Sequence, residues 1–327
     1  MKVLITGVAG FVGGHLVEFL RAEHPQVEVF GLTRPHGSLP PGLGAGIRVL
    51  EADLADPAAL ETILEIAAPD RIVHLAGQSS VQHSWLDPGG TLRTNVMGFV
   101  NLVDALRRRG ARAQMLVVGS AEEYGAASPG DLPLGEHAPL RPNSPYAVSK
   151  AAQGLLALEY ARGGGPPAVC TRTFHHTGPG RGEAFAESSF ARQIAEIEQG
   201  LRAPVILVGN LEAVRDYTDV RDVVRAYWAL LEAPAPPGEV YNVCSGQGRR
   251  IRDLLDVLLG HARVAVEVRV DQERLRPADI PAQVGDPTKL KRATGWQPRL
   301  PLERSLLDLL EDWRSRAAAA APPEEER

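Results

Sequence analysis

The sequence contains little cysteine, few aromatic residues and no long uninterrupted hydrophobic run. Its two cysteines, Cys170 and Cys244, form no CxxC pair, which argues against a metal site or a disulfide framework and favours a reducing, cytoplasmic location. No apolar segment reaches the roughly 20 residues that cross a bilayer. The first apolar run is broken by Gly7 and Gly10 and does not resemble a signal peptide. We therefore expect neither a metal ion nor a membrane to be involved.

The chain also lacks a strong excess of charge of either sign. Its formal net charge is -5 over 327 residues, so no basic surface for nucleic acid is expected. Hydrophobic residues make up 44% of the sequence, which is enough for a substantial core. A chain of this length is typically divided into about two domains.

The first half of the sequence alternates short apolar runs with helical patterns. Strands without polar alternation, separated by helices, are typical of a parallel sheet buried on both faces. The sequence therefore predicts a doubly wound α/β fold of the Rossmann type. The predicted strands are residues 2–6, 27–32, 47–51, 71–75, 114–119 and 168–173, and the predicted helices are residues 11–23, 57–67, 94–109 and 145–160.

Shorter elements in the second half predict a smaller α/β substrate domain. We assign residues 1–173 to the Rossmann domain and expect residues 212–245 to return to it. Residues 174–211 and 246–314 then form the second domain. The segment 315–327 is rich in Ala, Pro and Glu, a composition that predicts a disordered tail.

Three glycines stand between the first predicted strand and the first predicted helix. Gly7, Gly10 and Gly13 have the spacing GxxGxxG. Glycines allow a tight turn whose backbone N–H groups approach a pyrophosphate at the helix N-terminus. The strand–turn–helix context favours dinucleotide binding over the alternative, a packing turn without a ligand.

The end of the second predicted strand bears on the choice of cofactor. NAD enzymes usually have an acid there for the ribose 2′-hydroxyl, whereas this sequence reads Gly-Leu-Thr-Arg and ends on Arg34. A guanidinium can pair with a 2′-phosphate, so NADP(H) is favoured and NAD(H) remains possible; the alternative is that Arg34 is a solvated loop cation. Further cofactor contacts are expected after the third and fourth strands, at Asp53, Leu54, Leu75, Ala76 and Gly77.

Tyr146 and Lys150 form a YxxxK pair on a predicted helix. Residues four apart lie on one helix face, where a lysine ammonium can lower the pKa of a phenol and prepare it for acid–base work. Ser120 follows the fifth predicted strand, and its hydroxyl can bond the same substrate oxygen. The order Gly, Ser, Tyr, Lys along the chain favours a hydride-transfer site over an ordinary helix surface.

These motifs together resemble the extended short-chain dehydrogenases/reductases. The resemblance is carried by TGVAGFVG, SAEEYG, SPYAVSK and RDYTDVRDVV and extends from Met1 to about Trp313. The family contains nucleotide-sugar epimerases, 4,6-dehydratases and 4-ketoreductases that use NAD(P). Within the family, the sequence most resembles the GDP-mannose branch, which includes GDP-mannose 4,6-dehydratases and GDP-6-deoxy-4-keto-mannose reductases. The segments ARQIAEIEQG, VYNVCSGQGRRIRDLL and TGWQPRLPLERSL most resemble the reductases.

The resemblance implies an enzyme that reduces C4 of a GDP-linked 4-keto-6-deoxyhexose with NAD(P)H. The alternative is a 4,6-dehydratase or epimerase that recycles its cofactor within one turnover. A dinucleotide sensor on the same fold is a further alternative, which the presence of both Tyr146 and Lys150 disfavours. The family also implies a homodimer formed through the predicted helices 94–109 and 145–160.

The resemblance also assigns individual residues. Ser120, Tyr146 and Lys150 take the catalytic roles, and Glu122 has the spacing of the dehydratase base that removes the C5 proton. The other residues assigned to ligands are Phe11, Val12 and Asn95 for the cofactor, and Ser80, Glu122, His175, Arg192, Arg215 and Arg276 for the sugar nucleotide. His175 replaces the usual family Asn, which implies altered sugar contacts. His175 and His176 lack partners at metal-ligand spacing.

Overall fold

The elements follow the alternation of strand and helix that the sequence predicts. The computed structural model describes residues 1–234, 236–275 and 280–320. Its strands are β1 (Lys2–Thr6), β2 (Glu28–Thr33), β3 (Arg48–Glu51), β4 (Arg71–His74), β5 (Gln114–Ser120), β6 (Ala168–Thr173), β7 (His175–Thr177), β8 (Val205–Val208), β9 (Val214–Asp219), β10 (Glu239–Val243), β11 (Gly248–Arg250), β12 (Glu267–Val270) and β13 (Ala282–Gln283). Its helices are α1 (Phe11–Glu23), α2 (Pro57–Ala67), α3 (Val81–Leu86), α4 (Pro88–Leu92), α5 (Gly98–Arg108), α6 (Pro145–Arg162), α7 (Ala186–Glu198), α8 (Val220–Glu232), α9 (Ile251–Gly260), α10 (Thr288–Thr294) and α11 (Leu302–Ala320). Short 3₁₀ turns occupy Ala121–Tyr124, Pro129–Asp131 and Gln272–Arg274.

A seven-stranded parallel sheet lies at the centre, in the order β10-β6-β5-β4-β1-β2-β3. Helices cover both faces. Leu16 of α1 and Trp228 of α8 belong to the apolar cluster on one face, and Leu60 of α2 and Phe99 of α5 belong to the cluster on the other. The predicted doubly wound fold is confirmed.

Smaller sheets accompany the central one. Strand β9 pairs with β11, β13 and β7, and β12 pairs with β8. Helices α7, α9 and α11 pack around a separate apolar cluster that includes Ile194, Leu255 and Leu309. Residues 212–245, which were expected to return to the Rossmann domain, contain β9 and β10. Strand β10 joins the large sheet, whereas β9 belongs to a small sheet. The division into a Rossmann and a substrate domain stays a prediction.

The structure differs from the expected elements at two helices. The predicted helix 94–109 begins with a π-helical turn at Arg93–Met97, before α5. Helix α11 continues to Ala320, so part of the segment predicted as a tail is helical, consistent with the high helix propensity of its alanines. The rest of that segment, 321–327, lies outside the described residues. Within the described ranges, no helix is both long and apolar enough to cross a membrane.

Asp222 connects α8 to the chain that follows α10. Its carboxylate Oδ2 accepts the backbone N–H groups of Arg299 and Leu300, each at 2.8 Å. Its backbone oxygen accepts the Trp296 indole Nε1 at 2.9 Å. The Asp222 side chain is buried and also pairs with Arg225.

We predict that Asp222→Ala lowers the free energy of unfolding by about 3 kcal/mol, because two partly buried N–H groups lose a charged acceptor. Urea unfolding followed by circular dichroism measures this change. The control is Asp256→Ala, an exposed aspartate on α9 whose loss should change stability by less than about 0.5 kcal/mol. Equal effects of the two substitutions would contradict the assigned role of Asp222.

Candidate active site

The glycine turn after β1 packs closely against neighbouring backbone at the start of α1. Gly7 has a positive φ of 73°, and a Cβ there would lie 2.8 Å from the backbone nitrogen of Ala76. A Cβ on Gly13 would lie 2.6 Å from the Gly7 oxygen. Gly10 occupies the N-cap position of α1 and contributes no capping side chain. An uncapped helix N-terminus beside a backbone-lined turn fits the pyrophosphate of the dinucleotide implied by the resemblance.

The neighbouring predicted cofactor residues lie around this turn. The Phe11 ring stacks on the His176 ring with centroids 6.0 Å apart, while Val12 packs against the apolar cluster below the sheet. Arg34 is exposed in the turn after β2, and its backbone oxygen accepts the Gly37 N–H at 2.9 Å. Its guanidinium is therefore placed in a solvent-facing loop directly after the strand, as the cofactor hypothesis requires.

The remaining predicted cofactor residues follow β3 and β4. Asp53 is exposed, and its carboxylate accepts the Ala55 N–H at 2.8 Å, whereas the adjacent Leu54 is buried. Leu75 and Ala76 are half-buried, and Gly77 is exposed. A Cβ on Gly77 would lie 3.7 Å from the Lys150 ammonium nitrogen, so this loop lies beside the catalytic helix.

Ser120 and Tyr146 meet at the end of β5. Ser120 caps the turn Ala121–Tyr124, and its hydroxyl is hydrogen-bonded to the Tyr146 phenol. Burial raises the pKa of Tyr146 to about 12. Its hydrogen bond with the Ser120 hydroxyl and the positive charge of the Arg181 guanidinium both oppose this rise. The phenol is therefore neutral at pH 7 and can donate a proton.

Lys150 lies below this pair and is held by neighbouring acceptors. Its ammonium donates to the Val118 oxygen at 2.8 Å and to Oε1 of Gln153 at 3.0 Å. Gln153 in turn donates to the backbone oxygen of Asn95, in the π-helical turn, at 3.1 Å. Burial lowers the pKa of Lys150 to about 8. The action of Lys150 on the phenol, which the sequence predicts, stays a prediction. The structure adds the Arg181 guanidinium as a cation that lowers the Tyr146 pKa.

The two adjacent glutamates after Ser120 lie in different environments. Their segment is a 3₁₀ turn, at whose start Ser120 and Glu123 form a capping box. Glu122 is half-buried, whereas Glu123 is buried and pairs with Arg172. The charges of both glutamates raise the Tyr146 pKa, so both lie within electrostatic range of the phenol.

Arg181 is a site residue that the sequence reasoning missed. Its side chain is buried, with the guanidinium carbon 5.1 Å from the Phe11 ring centroid and 3.3 Å from that of Phe185. It forms a long ion pair with Glu187 at 3.7 Å, and its Nε has no hydrogen-bond partner among the described residues. The tight GPGR sequence after the two histidines was a signal that could have identified it.

The predicted sugar-nucleotide residues are only partly brought together. The His175 ring lies 5.4 Å from that of Tyr217, whose hydroxyl donates to Glu187 at 3.1 Å. Arg215 and Arg181 both lower the Tyr217 pKa, which places them in this cluster, although burial still leaves that pKa well above its usual value. Three further residues stand apart or cannot be placed: Arg192 pairs with Glu183 and Glu196, Ser80 caps α3, and Arg276 lies outside the described residues.

Comparison with known proteins covers nearly the whole chain. The family model described as GDP-mannose 4,6 dehydratase matches residues 4–308. GDP-6-deoxy-D-mannose reductase of Pseudomonas aeruginosa is 38% identical over 96% of this chain and 98% of its own length. GDP-mannose 4,6 dehydratase 2 of Arabidopsis thaliana is 32% identical over 92% of this chain and 83% of its own length.

Solved structures agree with these sequence matches. The structure of RMD from Pseudomonas aeruginosa complexed with NADPH has a TM-score of 0.85 at 37% identity, covering 97% of this chain and 100% of that one. The UDP-glucose 4-epimerase of Thermus thermophilus in complex with NAD has a TM-score of 0.84 at 30% identity, covering 96% of this chain and 99% of that one. The likeness therefore extends over both the large sheet and the smaller sheets.

Proposed function

The chain belongs to the GDP-mannose 4,6-dehydratase family, of the extended short-chain dehydrogenase/reductase type, and from this premise we propose that it reduces the C4 ketone of a GDP-linked 4-keto-6-deoxyhexose with NAD(P)H. The observation that carries the proposal is the full-length similarity to a GDP-6-deoxy-D-mannose reductase, at 38% identity over 96% of the chain. It is supported by the neutral, buried Tyr146 phenol beside Ser120, which suits proton donation to a ketone oxygen.

The catalytic residues divide the chemistry between them. The reduced nicotinamide, when bound, supplies a hydride. The Tyr146 hydroxyl gives its proton to the C4 oxygen as negative charge develops there, and the Ser120 hydroxyl orients that oxygen through a second hydrogen bond. The Lys150 ammonium and the Arg181 guanidinium provide positive charge around the phenolate that Tyr146 becomes. Arg215 is proposed to bind the diphosphate together with Arg192 and Arg276, for which guanidinium groups are suited. Arg192 would have to exchange its ion pairs with Glu183 and Glu196 for the phosphate oxygens.

A second candidate function is the 4,6-dehydratase or epimerase reaction. Glu122 favours it, because a carboxylate within electrostatic range of the Tyr146 phenol could remove the C5 proton. Dehydration returns the hydride to the sugar and therefore consumes no net cofactor. The two reactions can be separated by the stoichiometry of NADPH.

We further propose that NADPH is preferred, because Arg34 occupies the loop after β2, and that the enzyme acts in the cytoplasm. Both cysteines are free and buried, which suits a reducing compartment.

A homodimer is proposed through the face formed by α6 and the π-helical turn. Exposed apolar side chains on this face are Met97, Val148 and Leu155, and a soluble chain gains free energy by covering such a patch with a second copy.

The test of function is a spectrophotometric assay with the GDP-linked 4-keto-6-deoxyhexose and NADPH. The nicotinamide absorbance should fall by one equivalent per sugar reduced. GDP-mannose without added NADPH should yield no 4-keto product. Dehydration of GDP-mannose under those conditions would contradict the reductase proposal and support the dehydratase function instead.

Two variants accompany this assay. Tyr146→Phe should slow ketone reduction by at least about 10²-fold with NADPH affinity little changed, because the phenol supplies the proton. Glu122→Gln should keep the rate within about tenfold of the native enzyme, the scale of a supporting hydrogen bond. If the native enzyme dehydrates GDP-mannose and Glu122→Gln abolishes that reaction, the Glu122 carboxylate is the base that removes the C5 proton.

For the cofactor, we predict that Arg34→Asp shifts the preference from NADPH towards NADH, because the cation for the 2′-phosphate is replaced by an acceptor for the ribose hydroxyls. The ratio of kcat/KM for the two cofactors measures this shift. Arg48→Asp, an exposed arginine on β3, is the matched control and should leave the ratio unchanged. A native enzyme with strong preference for NADH would contradict the assignment of Arg34.

For the assembly, multi-angle light scattering at micromolar concentration should give twice the mass of one chain. The double variant Val148→Glu with Leu155→Glu should be monomeric, since two buried carboxylates would oppose the contact. Leu201→Glu changes an exposed apolar residue after α7 and should leave the dimer intact. A monomeric native protein would refute the proposed face.

A further inference from the structure

Behind the catalytic turn lies a buried ion pair between Glu123 and Arg172, to which neither the sequence nor the proposed mechanism assigns a role. The Glu123 carboxylate accepts the Ser120 backbone N–H at 2.8 Å through Oε1 and the Arg172 Nε at 3.1 Å through Oε2. The side chains of Glu123 and Arg172 are only 4% and 8% exposed. A Cβ on Gly119 would lie 2.3 Å from Glu123 Oε1, so glycine at this position admits the carboxylate. One carboxylate thus joins the catalytic turn to β6.

Arg172 extends this contact into a wider buried network. Its Nη1 donates to the Tyr124 hydroxyl at 3.1 Å and to the Glu136 backbone oxygen at 2.8 Å. The Tyr124 hydroxyl donates to Oδ1 of Asn242, on β10, at 2.7 Å. The turn that carries Ser120 is therefore attached to β6, β10 and the loop containing Glu136, which restricts its movement.

Glu123 also lies close enough to the catalytic lysine to act on it. Burial lowers the Lys150 pKa to about 8, and the charge of Glu123 opposes that fall. Burial raises the Glu123 pKa, and the charge of Arg172 opposes that rise. Burial also lowers the His74 pKa, and the charge of Lys150 lowers it further. Cys170 and Tyr146 also feel the Glu123 charge, which raises their pKa values. Glu123 is thus the acid that favours the ammonium form of Lys150.

We propose that Glu123, held by Arg172, is a positioning residue for the reaction: it fixes the Ser120 turn and places a negative charge behind the Lys150 ammonium. Its two effects are separable. The hydrogen bond to the Ser120 N–H depends on the length of the side chain, whereas the effect on Lys150 depends on its charge. The catalytic part of this inference rests on the proposed reductase activity, and the electrostatic part does not.

Two single variants separate charge from geometry. Glu123→Gln removes the charge and should lower the Lys150 titration midpoint by about one pH unit, within the range for a lost neighbouring charge. Glu123→Asp keeps the charge but shortens the reach to Ser120. It should leave that midpoint in place and lower kcat by roughly tenfold to hundredfold, the scale of a misplaced catalytic group.

The Lys150 midpoint is measured by NMR of ¹³C-labelled lysine, with the Lys150 signal assigned by its loss in Lys150→Met. This measurement needs no substrate. If the protein fails to reduce the keto sugar, the proposed function is overturned, but the NMR midpoint still shows whether the Glu123 charge acts on Lys150. The alkaline limb of the pH–rate profile should move with the NMR midpoint. An unchanged midpoint in Glu123→Gln overturns the charge role, and an unchanged kcat in Glu123→Asp overturns the positioning role.

Stability controls keep the test independent of folding defects. The double variant Glu123→Leu with Arg172→Met replaces the pair by apolar side chains, so that Arg172 is not left as an unpaired buried charge. It should fold and still show a lower Lys150 midpoint. Glu198→Gln breaks a second buried pair, in which Arg314 Nε donates to Glu198 at 2.7 Å. It should lower the melting temperature without moving the midpoint. An equal midpoint shift in Glu198→Gln would show that Glu123 has no specific role.

Discussion

The site depends on the parallel pairing of β1, β4, β5 and β6, which brings the carboxyl ends of these strands to one edge of the sheet. Gly7, Gly77 and Ser120 each follow or end one of these strands, although they are far apart in sequence. Helix α6 then packs against β5 and presents Tyr146 to Ser120. Ligand binding outside the carboxyl ends of parallel strands is the general behaviour of doubly wound sheets.

Burial imposes a second constraint on this edge. Lys150, Arg172, Arg181 and Glu123 are all nine-tenths buried or more, and burying an isolated charge is costly. The charges are therefore arranged against one another: Glu123 lies between Arg172 and Lys150, and Arg181 faces both Glu187 and Tyr146. The pKa values of Tyr146 and Lys150 therefore reflect both the loss of solvent on burial and the charges of the neighbouring groups. A neutral phenol with a lysine that titrates near pH 8 suits proton donation at neutral pH.

Local patterns were sufficient for most of the fold. The first six predicted strands and the helices between them agree closely with the structure, because apolar runs and helical periodicity are local properties. The 3₁₀ turn at Ala121–Tyr124 was not predicted, although Ser120 and Glu123 have the Ser-x-x-Glu spacing of a capping box. Residues 315–320 were predicted as part of a disordered tail but belong to helix α11, because their alanines favour helix although they carry no amphipathic pattern.

The sequence by itself determined the glycine turn, the Ser120, Tyr146 and Lys150 set and the α/β class, because each depends on residue type at a fixed local spacing. The tertiary structure alone decided that Arg181 approaches Tyr146, that Glu123 faces Arg172, and that Gln153 connects Lys150 to Asn95. These contacts join elements separated by many residues. Their electrostatic effects depend on burial and on distance in space, and neither quantity is contained in the spacing of residues along the chain.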